Sequence, residues 1–426
     1  MPPPVASVCA SRTSTDGVAP LIAVRGACPA NTDPHAALVG VNIFDALWCG
    51  SAAMASPCNY EHDVLHALRS LKKSGLRVFR FFASLYGWRQ VQWLRDPPRF
   101  WATFDRLMDE VQALGLVAIV SIGAESWHEV ANRWANASES LNDLVLNASS
   151  LSRGLAVRYV SEVVRRYRAR SCVLFWELGN ELNLASNMPA RRCTLAGNLL
   201  ARPSRCFGTA ALVDYTRVLV AAIRLADERR PVSSGFGVAR FNAWQLERDP
   251  LKAHGAVDTV REWQRMIQWE HEAVDIVSTH LYAGMHGCWF GRQLDHACHR
   301  QSNISVLTAA ADAAAEVGKP LYIGEYGGPA PNFTGPTLNA TRFPEAVLRW
   351  QIARTVSPHQ KQHKHRQPQP TTISSIWSWT CAAKRATMHC IWPSQYIAVE
   401  AEGSSESANH RMQRLLVAVA QSVGKA

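Results

Sequence analysis

Eight short apolar, β-branched runs alternate strictly with amphipathic stretches rich in Ala, Leu and Arg. The chain is 426 residues long and 47% hydrophobic, enough to enclose a large core. Its polar residues of chemical interest gather at the C-terminal ends of the apolar runs. These three observations predict an α/β fold with a parallel sheet, closed as a single-domain (β/α)8 TIM barrel. A doubly wound open sheet is the alternative.

Residues 1–34 read as an irregular lead-in and residues 35–426 as the barrel. The strand-like runs are 38–44, 76–82, 116–122, 172–178, 231–236, 274–280, 320–325 and 372–377. Helical patterns follow them at about 60–74, 100–114, 152–170, 208–229, 258–271, 303–317, 343–356 and 407–423. Pro344 stands at a first helical turn, where its missing N–H costs nothing. Gly75, Gly115 and Gly318 stand where helices should stop before the next strand. The one low-complexity stretch, residues 359–370, carries His359, His363 and His365 among Lys, Gln and Pro, and reads as a solvated loop rather than a metal site.

Composition excludes a disordered or fibrous chain. No apolar run reaches the roughly 18 residues of a membrane-spanning helix. The formal charge is +11. The arginines are scattered along helices (Arg165, Arg166, Arg168, Arg170; Arg224, Arg229, Arg230) rather than interleaved with aromatics. That pattern describes a solvated basic surface and not a nucleic-acid site.

Eleven cysteines are many for a reducing compartment. Eight fall into short-range couples: Cys49/Cys58, Cys193/Cys206, Cys288/Cys298 and Cys381/Cys390. Five glycosylation acceptors occur at Asn136, Asn147, Asn303, Asn332 and Asn339. Couples and acceptors together read as a secreted glycoprotein, although residues 1–30 show no basic start followed by an apolar core. We expect an incomplete N-terminus. A zinc site at His286, Cys288, His296, Cys298 and His299 fits no standard ligand spacing. Cys172, inside the fourth strand, is expected as a buried free thiol, and Cys9 and Cys28 are a further candidate couple.

In a barrel the site is built where the strands end. Strand two ends with Arg80 interrupting an apolar run. Strand four ends Phe175-Trp176-Glu177-Leu178-Gly179-Asn180-Glu181, and strand six ends His280-Leu281-Tyr282. Strand seven ends Gly324-Glu325-Tyr326-Gly327 and strand eight Trp377-Ser378-Trp379. Two carboxylates at two strand ends, Glu181 and Glu325, are what glycoside cleavage needs: one protonates the leaving oxygen and the other attacks the anomeric carbon. Arg80 and Tyr282 are candidates to hold Glu325 ionised. Glu177 and Glu125 are rival carboxylates, and the depth of Glu177 in its strand makes it structural.

These motifs resemble glycoside hydrolase family five, the cellulase and mannanase family of clan A barrels, as an ordered series over about residues 38–420. The resemblance implies Glu181 as acid/base, Asn180 on the sugar 2-hydroxyl and Glu325 as nucleophile. It implies Arg80, His280 and Tyr282 around the nucleophile, Trp377 as a platform under the sugar, and retention of configuration. Two departures stand out. Leu182 follows the acid/base where the family usually has Pro. Strand three ends Ser121-Ile122-Gly123-Ala124-Glu125 without the usual His, the nearest being His128. Several tryptophans (Trp48, Trp88, Trp93, Trp127, Trp134, Trp289) fall in expected loops, where either sugar stacking or packing suits them.

The expectation is therefore a secreted, monomeric, retaining endo-β-1,4-glycosidase that needs no cofactor, acts on a β-linked polysaccharide or oligosaccharide, and has no nucleic-acid partner or membrane span. Mannan comes first, from the Phe175-Trp176-Glu177-Leu178 approach to the acid/base. An endo-β-1,4-glucanase, a catalytically silent glycan-binding barrel and a metal-dependent hydrolase are the alternatives, since the fold alone chooses no chemistry. The four cysteine couples fall after strands one, four, six and eight and are expected to staple the cleft walls.

Overall fold

A computed structural model describes residues 38–50, 60–73, 75–123, 125–188, 206–249, 257–282, 288–291, 301–327, 372–376, 380–381 and 390–391. The strands are β1 Leu38–Asn42, β2 Val78–Phe82, β3 Val117–Ser121, β4 Val173–Glu177, β5 Val232–Ser233, β6 Val277–Tyr282, β7 Leu321–Gly327 and β8 Thr372–Ile376. They pair in parallel in the order β5-β4-β3-β2-β1-β8-β7-β6. A parallel bridge from Ser233 to Ile276 joins the two ends of that order. The sheet is thus a closed (β/α)8 barrel in one domain, and the open-sheet alternative falls.

The helices form where the apolar spacing puts them. In Pro97–Ala113 the residues Phe100, Phe104, Leu107, Met108 and Val111 recur at three and four and are all buried. Its start is set by Asp96, whose side chain accepts from the Arg99 N–H, with proline in the first turn. Thr259 and Glu262 form a reciprocal capping box at the start of Val260–Glu270. Gly75, Gly115 and Gly318 have φ of 78°, 69° and 67°, the left-handed conformation that ends a helix. Val78, Val117, Ile119, Leu174, Phe175, Ile276 and Tyr322 form a cluster of their own that fills the space enclosed by the strands. Phe175 meets Tyr322 edge to face across it, with ring centroids 5.2 Å apart. Because this plug closes the interior, a ligand can approach only the rim.

Three expectations change. β5 is two residues long rather than six: beyond it residues 234–238 stay buried but leave the regular ladder, bonding instead to Ser278 and His280 and to the Glu181 N–H. The loops after the strands carry short helices that the sequence pattern did not resolve: Trp127–Ala135, Leu141–Leu146, Leu182–Ala185 and Ala243–Arg248. At four to nine residues they hold too few turns to show a period. Trp48, Trp93, Trp127 and Trp289 are buried packing residues, while Trp88 and Trp134 are exposed. The lead-in over 1–34, the loop 359–370 and the helices expected over 343–356 and 407–423 lie outside the described residues. Among those described, no helix is long and apolar enough to cross a membrane.

Burial pushes the Glu270 carboxyl up from 4.5 to about 8, against the opposing pull of Asn183 and Arg240. Glu270 therefore enters the fold as a neutral acid. Its contribution to stability is full below the unfolded value near 4.5 and is lost as pH rises through about 8. Wild type should lose stability relative to Glu270→Gln across that window, with parallel denaturation curves below it. A stability gap that does not change with pH would contradict the assignment.

Candidate active site

Arg80 is central and has no exposed surface. It sits in the middle of β2, and its guanidinium stands over the Phe44 and Phe82 rings, 4.9 and 5.6 Å from their centroids. It donates three ways. Nε reaches Glu177 Oε1 at 2.7 Å, Nη1 reaches Glu325 Oε1 at 2.8 Å, and Nη2 reaches Asn180 Oδ1 at 3.0 Å. Burial opposes its charge, but Glu177, Tyr322 and Glu325 together hold it protonated more firmly than usual. The planar fork is what allows one cation to fix three groups at once.

Glu325 comes from β7. The β6–β7 register slips between Thr279 and His280, so that His280 pairs with Glu325 and Tyr282 with Gly327. The slip turns His280, Tyr282 and Glu325 toward one another. Tyr282 Oη donates to Glu325 Oε2 at 2.5 Å, leaving each Glu325 oxygen with its own donor. His280 Nδ1 lies 3.0 Å from Glu181 Oε1 and 3.5 Å from Glu325 Oε1. A Cβ on Gly324 would stand 2.5 Å from His280 Nε2, so only glycine lets β7 pass the ring. The Gly324 carbonyl accepts from Asn42 Nδ2 at 3.0 Å, which ties β1 to the same rim.

Glu181 reaches the site differently from what strand alternation suggests. β4 ends at Glu177, and Glu181 lies beyond it with φ 55° and ψ 26°, a left-handed conformation that costs a non-glycine residue of order 1–3 kcal/mol. Its N–H donates to the Gly235 carbonyl at 2.8 Å. Gly235 itself has φ 70°, and a Cβ there would stand 1.9 Å from the Gly179 carbonyl oxygen. Asn183 locks the turn further. Its amide donates to the Gly237 carbonyl and accepts from the Gly237 N–H, both at 3.0 Å. Gly237 in turn packs against the Glu181 carboxyl.

One oxygen each of Glu181 and Glu325 and one His280 ring nitrogen lie within 4.8 Å of one another. Their environments differ. Glu325 faces a guanidinium and a phenol. Burial drives the Glu181 carboxyl up, but the His280 hydrogen bond, the His280 charge and the Arg80 charge outweigh it and hold Glu181 below its usual value. That direction is opposite to the raised value expected of a proton donor. Glu177, buried against Arg80, serves as a structural anion, as its depth in the strand implied.

The structure thus brings Arg80, Asn180, Glu181, His280, Tyr282 and Glu325 together at one rim. Trp377 and the proposed zinc ligands His286, His296, Cys298 and His299 lie outside the described residues. His128 lies in the helix Trp127–Ala135, where burial holds its ring below its usual pKa. Asn183 went unassigned in the sequence, with only its place two residues after Glu181 as a signal. Glu125, expected only as a rival carboxylate, instead accepts the Asn180 N–H.

A family model described as "Cellulase (glycosyl hydrolase family 5)" matches residues 57–342. The chain belongs to glycosyl hydrolase family 5. No curated protein matches it in sequence. Among solved structures, it resembles an endo-β-1,4-mannanase from Thermotoga petrophila at 15% identity and a TM-score of 0.55, covering 92% of this chain and 77% of that one. It also resembles an endo-1,4-β-mannanase from Rhizomucor miehei at 15% identity and a TM-score of 0.55, covering 92% and 95%. A family 5 mannosidase from the same organism aligns at 12% identity and a TM-score of 0.54, covering 91% and 93%. Likeness at this identity speaks to the fold. The family membership makes the chain a glycoside hydrolase.

If His280 is what lowers Glu181, removing the ring should release it. Carbon-13 NMR titration of His280→Leu should find the Glu181 carboxyl titrating at higher pH than in wild type, because burial then acts with less opposition. An unchanged or lower titration would reject His280 as the cause.

Proposed function

We propose that the chain is a retaining endo-β-1,4-mannanase that works by double displacement, with Glu325 as nucleophile and Glu181 as acid/base. One observation carries the reading: two carboxylates within 4.8 Å, one gripped by Arg80 and Tyr282 and the other sharing a hydrogen bond with His280. Oxygens this close leave no room for a water between nucleophile and sugar, which favours direct attack and retention over inversion. In the first step a Glu325 oxygen bonds to the anomeric carbon while the leaving oxygen takes a proton from Glu181. In the second, Glu181 removes a proton from water as that water displaces Glu325.

Glu181, held low by His280 and Arg80, exchanges its proton in contact with the His280 ring. Arg80 Nη1 and the Tyr282 hydroxyl each donate to Glu325, and the phenol can follow the charge as it transfers to the sugar. Arg80 already supplies a cation 2.8 Å from Glu325, which weighs against a metal-dependent hydrolase at this place. Asn180, fixed by Arg80 Nη2, is available to the sugar 2-hydroxyl. Trp377 is retained as the platform under the reacting sugar.

Mannan is favoured by the activities of the similar structures from Thermotoga petrophila and Rhizomucor miehei. The Phe175-Trp176 motif is not itself a glycan contact: Phe175 packs in the barrel interior and the Trp176 indole donates to Asp227 at 3.0 Å. An endo-β-1,4-glucanase is the second reading, favoured by the description of the matching family. Initial rates on mannan, glucomannan, cellulose, xyloglucan and mixed-linkage glucan separate them. Glu325→Gln should abolish turnover on every substrate. Glu181→Gln should fail on polysaccharide yet still be glycosylated by an aryl glycoside with a good leaving group. Equal losses on both substrate types in both variants would overturn the assignment, and an inert wild type would favour the silent barrel.

We also propose secretion with stapled rim loops. Support comes from Cys49, Cys206 and Cys288, each disulfide-bonded, with Cys172 a buried free thiol. Cys381 and Cys390 are register partners in a short antiparallel pair, a spacing that suits a disulfide. Asn136 and Asn147 are exposed, whereas the Asn303 amide turns in to the Tyr282 carbonyl at 3.4 Å. Peptide mapping of protein from a secretory host should recover Cys49–Cys58, Cys193–Cys206, Cys288–Cys298 and Cys381–Cys390, with glycan on Asn136 and Asn147. Eight free thiols on unglycosylated protein would reject secretion.

A further inference from the structure

We propose that Glu125 is a positioning residue that acts on the reaction through Asn180. The inference rests on the reading of Asn180 and Glu181 given above. Beyond β3 the chain turns at Gly123, where φ is 78° and a Cβ would stand 2.3 Å from Ser84 Oγ. The turn carries Glu125 to the underside of the segment that follows β4, and only 9% of it is exposed. There its Oε2 accepts the Asn180 backbone N–H at 3.2 Å.

The anchoring of that segment singles the contact out. The Leu178 N–H donates to the Ser233 carbonyl at 2.9 Å and the Glu181 N–H to the Gly235 carbonyl at 2.8 Å. Both are held by backbone, which no side-chain change removes. The Asn180 N–H, between them, is held by a side chain. It belongs to the peptide leading into the left-handed Glu181, and the same residue's side chain faces Arg80 Nη2 at 3.0 Å. Without Glu125 a part-buried donor loses its acceptor, and the peptide between Gly179 and Asn180 keeps only the 3.3 Å hydrogen bond from Ser121 Oγ to the Gly179 carbonyl.

Glu125 also lines a cavity of about 10 Å³ together with Ser84, Tyr86, Gln90 and Trp127, room for one water molecule. Glu125 Oε1, Ser84 Oγ and Trp127 Nε1 are all buried without a hydrogen-bond partner among the described residues. The hydrogen bond from the Asn180 N–H is what holds the carboxyl in this setting. Burial, opposed by the N–H groups of Asn180 and of Glu125 itself, pushes the carboxyl up to about 7.

The test exploits the route through Asn180. Rates are measured on an aryl β-glycoside and on its counterpart lacking the 2-hydroxyl of the reacting sugar. Glu125→Ala should lower kcat about 100-fold on the first, with KM little changed, and only a few-fold on the second, which has no 2-hydroxyl to misplace. Glu125→Gln keeps an acceptor for the Asn180 N–H and should recover most of the loss. Glu125→Asp, too short to reach, should repeat the alanine pattern and serves if alanine does not fold. In an Asn180→Ala background the further effect of Glu125→Ala should vanish. Equal losses on both substrates, or a glutamine variant as poor as alanine, overturn the proposal while leaving the glycosidase reading intact. A wild type inert on both substrates overturns the two together.

Discussion

The rim of this barrel is organised around a single buried cation. Arg80 is enclosed by Phe44 and Phe82 and spends its donors on Glu177 and Asn180, from the end of β4 and the turn after it, and on Glu325 from β7. A buried ion pair of this kind is weak evidence for stability, since desolvation offsets much of the Coulombic gain. Its value is geometric. Each partner is held where the fork points, and any one of them moved would leave charge uncompensated in a dry site. Glu177 makes this possible by supplying an anion that takes no part in the cleft, so that Glu325 can share Arg80 without neutralising it alone.

Around that cation the carboxylates divide. Glu325 has a donor on each oxygen, while Glu181 lies in hydrogen-bond contact with His280. Glu181 and Glu325 face the same opening, with the guanidinium behind them. That suits a reaction whose transition state gathers positive charge on a sugar ring. Backbone does as much as side chains here. Gly235, Gly237 and Gly324 let chain segments pass at distances a Cβ would forbid, and Glu181 pays for its placement with a strained conformation.

Several features of the site were legible in the sequence for physical reasons. Arg80 interrupts an apolar strand, and a charge in such a run must be paired or functional. Glu325 sits in a strand flanked by glycine, and His280 and Tyr282 are two apart, hence on one face. Glu125 was visible as a carboxylate at a strand end, but its partner is a backbone N–H at residue 180, and no spacing rule links the two. The tryptophans divide into packing and exposed residues only through tertiary contacts: Trp93 and Trp127 meet edge to face at 5.7 Å beneath the loops, and no local pattern distinguishes them from Trp88.

The sequence by itself determined the alternation of strands and helices, the glycine stops at residues 75, 115 and 318, and which strand ends carry chemistry. These follow from periodicity and local conformation, which are properties of neighbouring residues. Tertiary structure alone decided the closure between β5 and β6, the register slip that sets His280 against Glu325, and the left-handed turn at Glu181. It also decided the contact of Glu181 with His280 and that of Glu125 with the Asn180 backbone. Those depend on groups tens to hundreds of residues apart meeting in a space from which water is excluded, and both geometry and charge there are settled by what the whole barrel brings together.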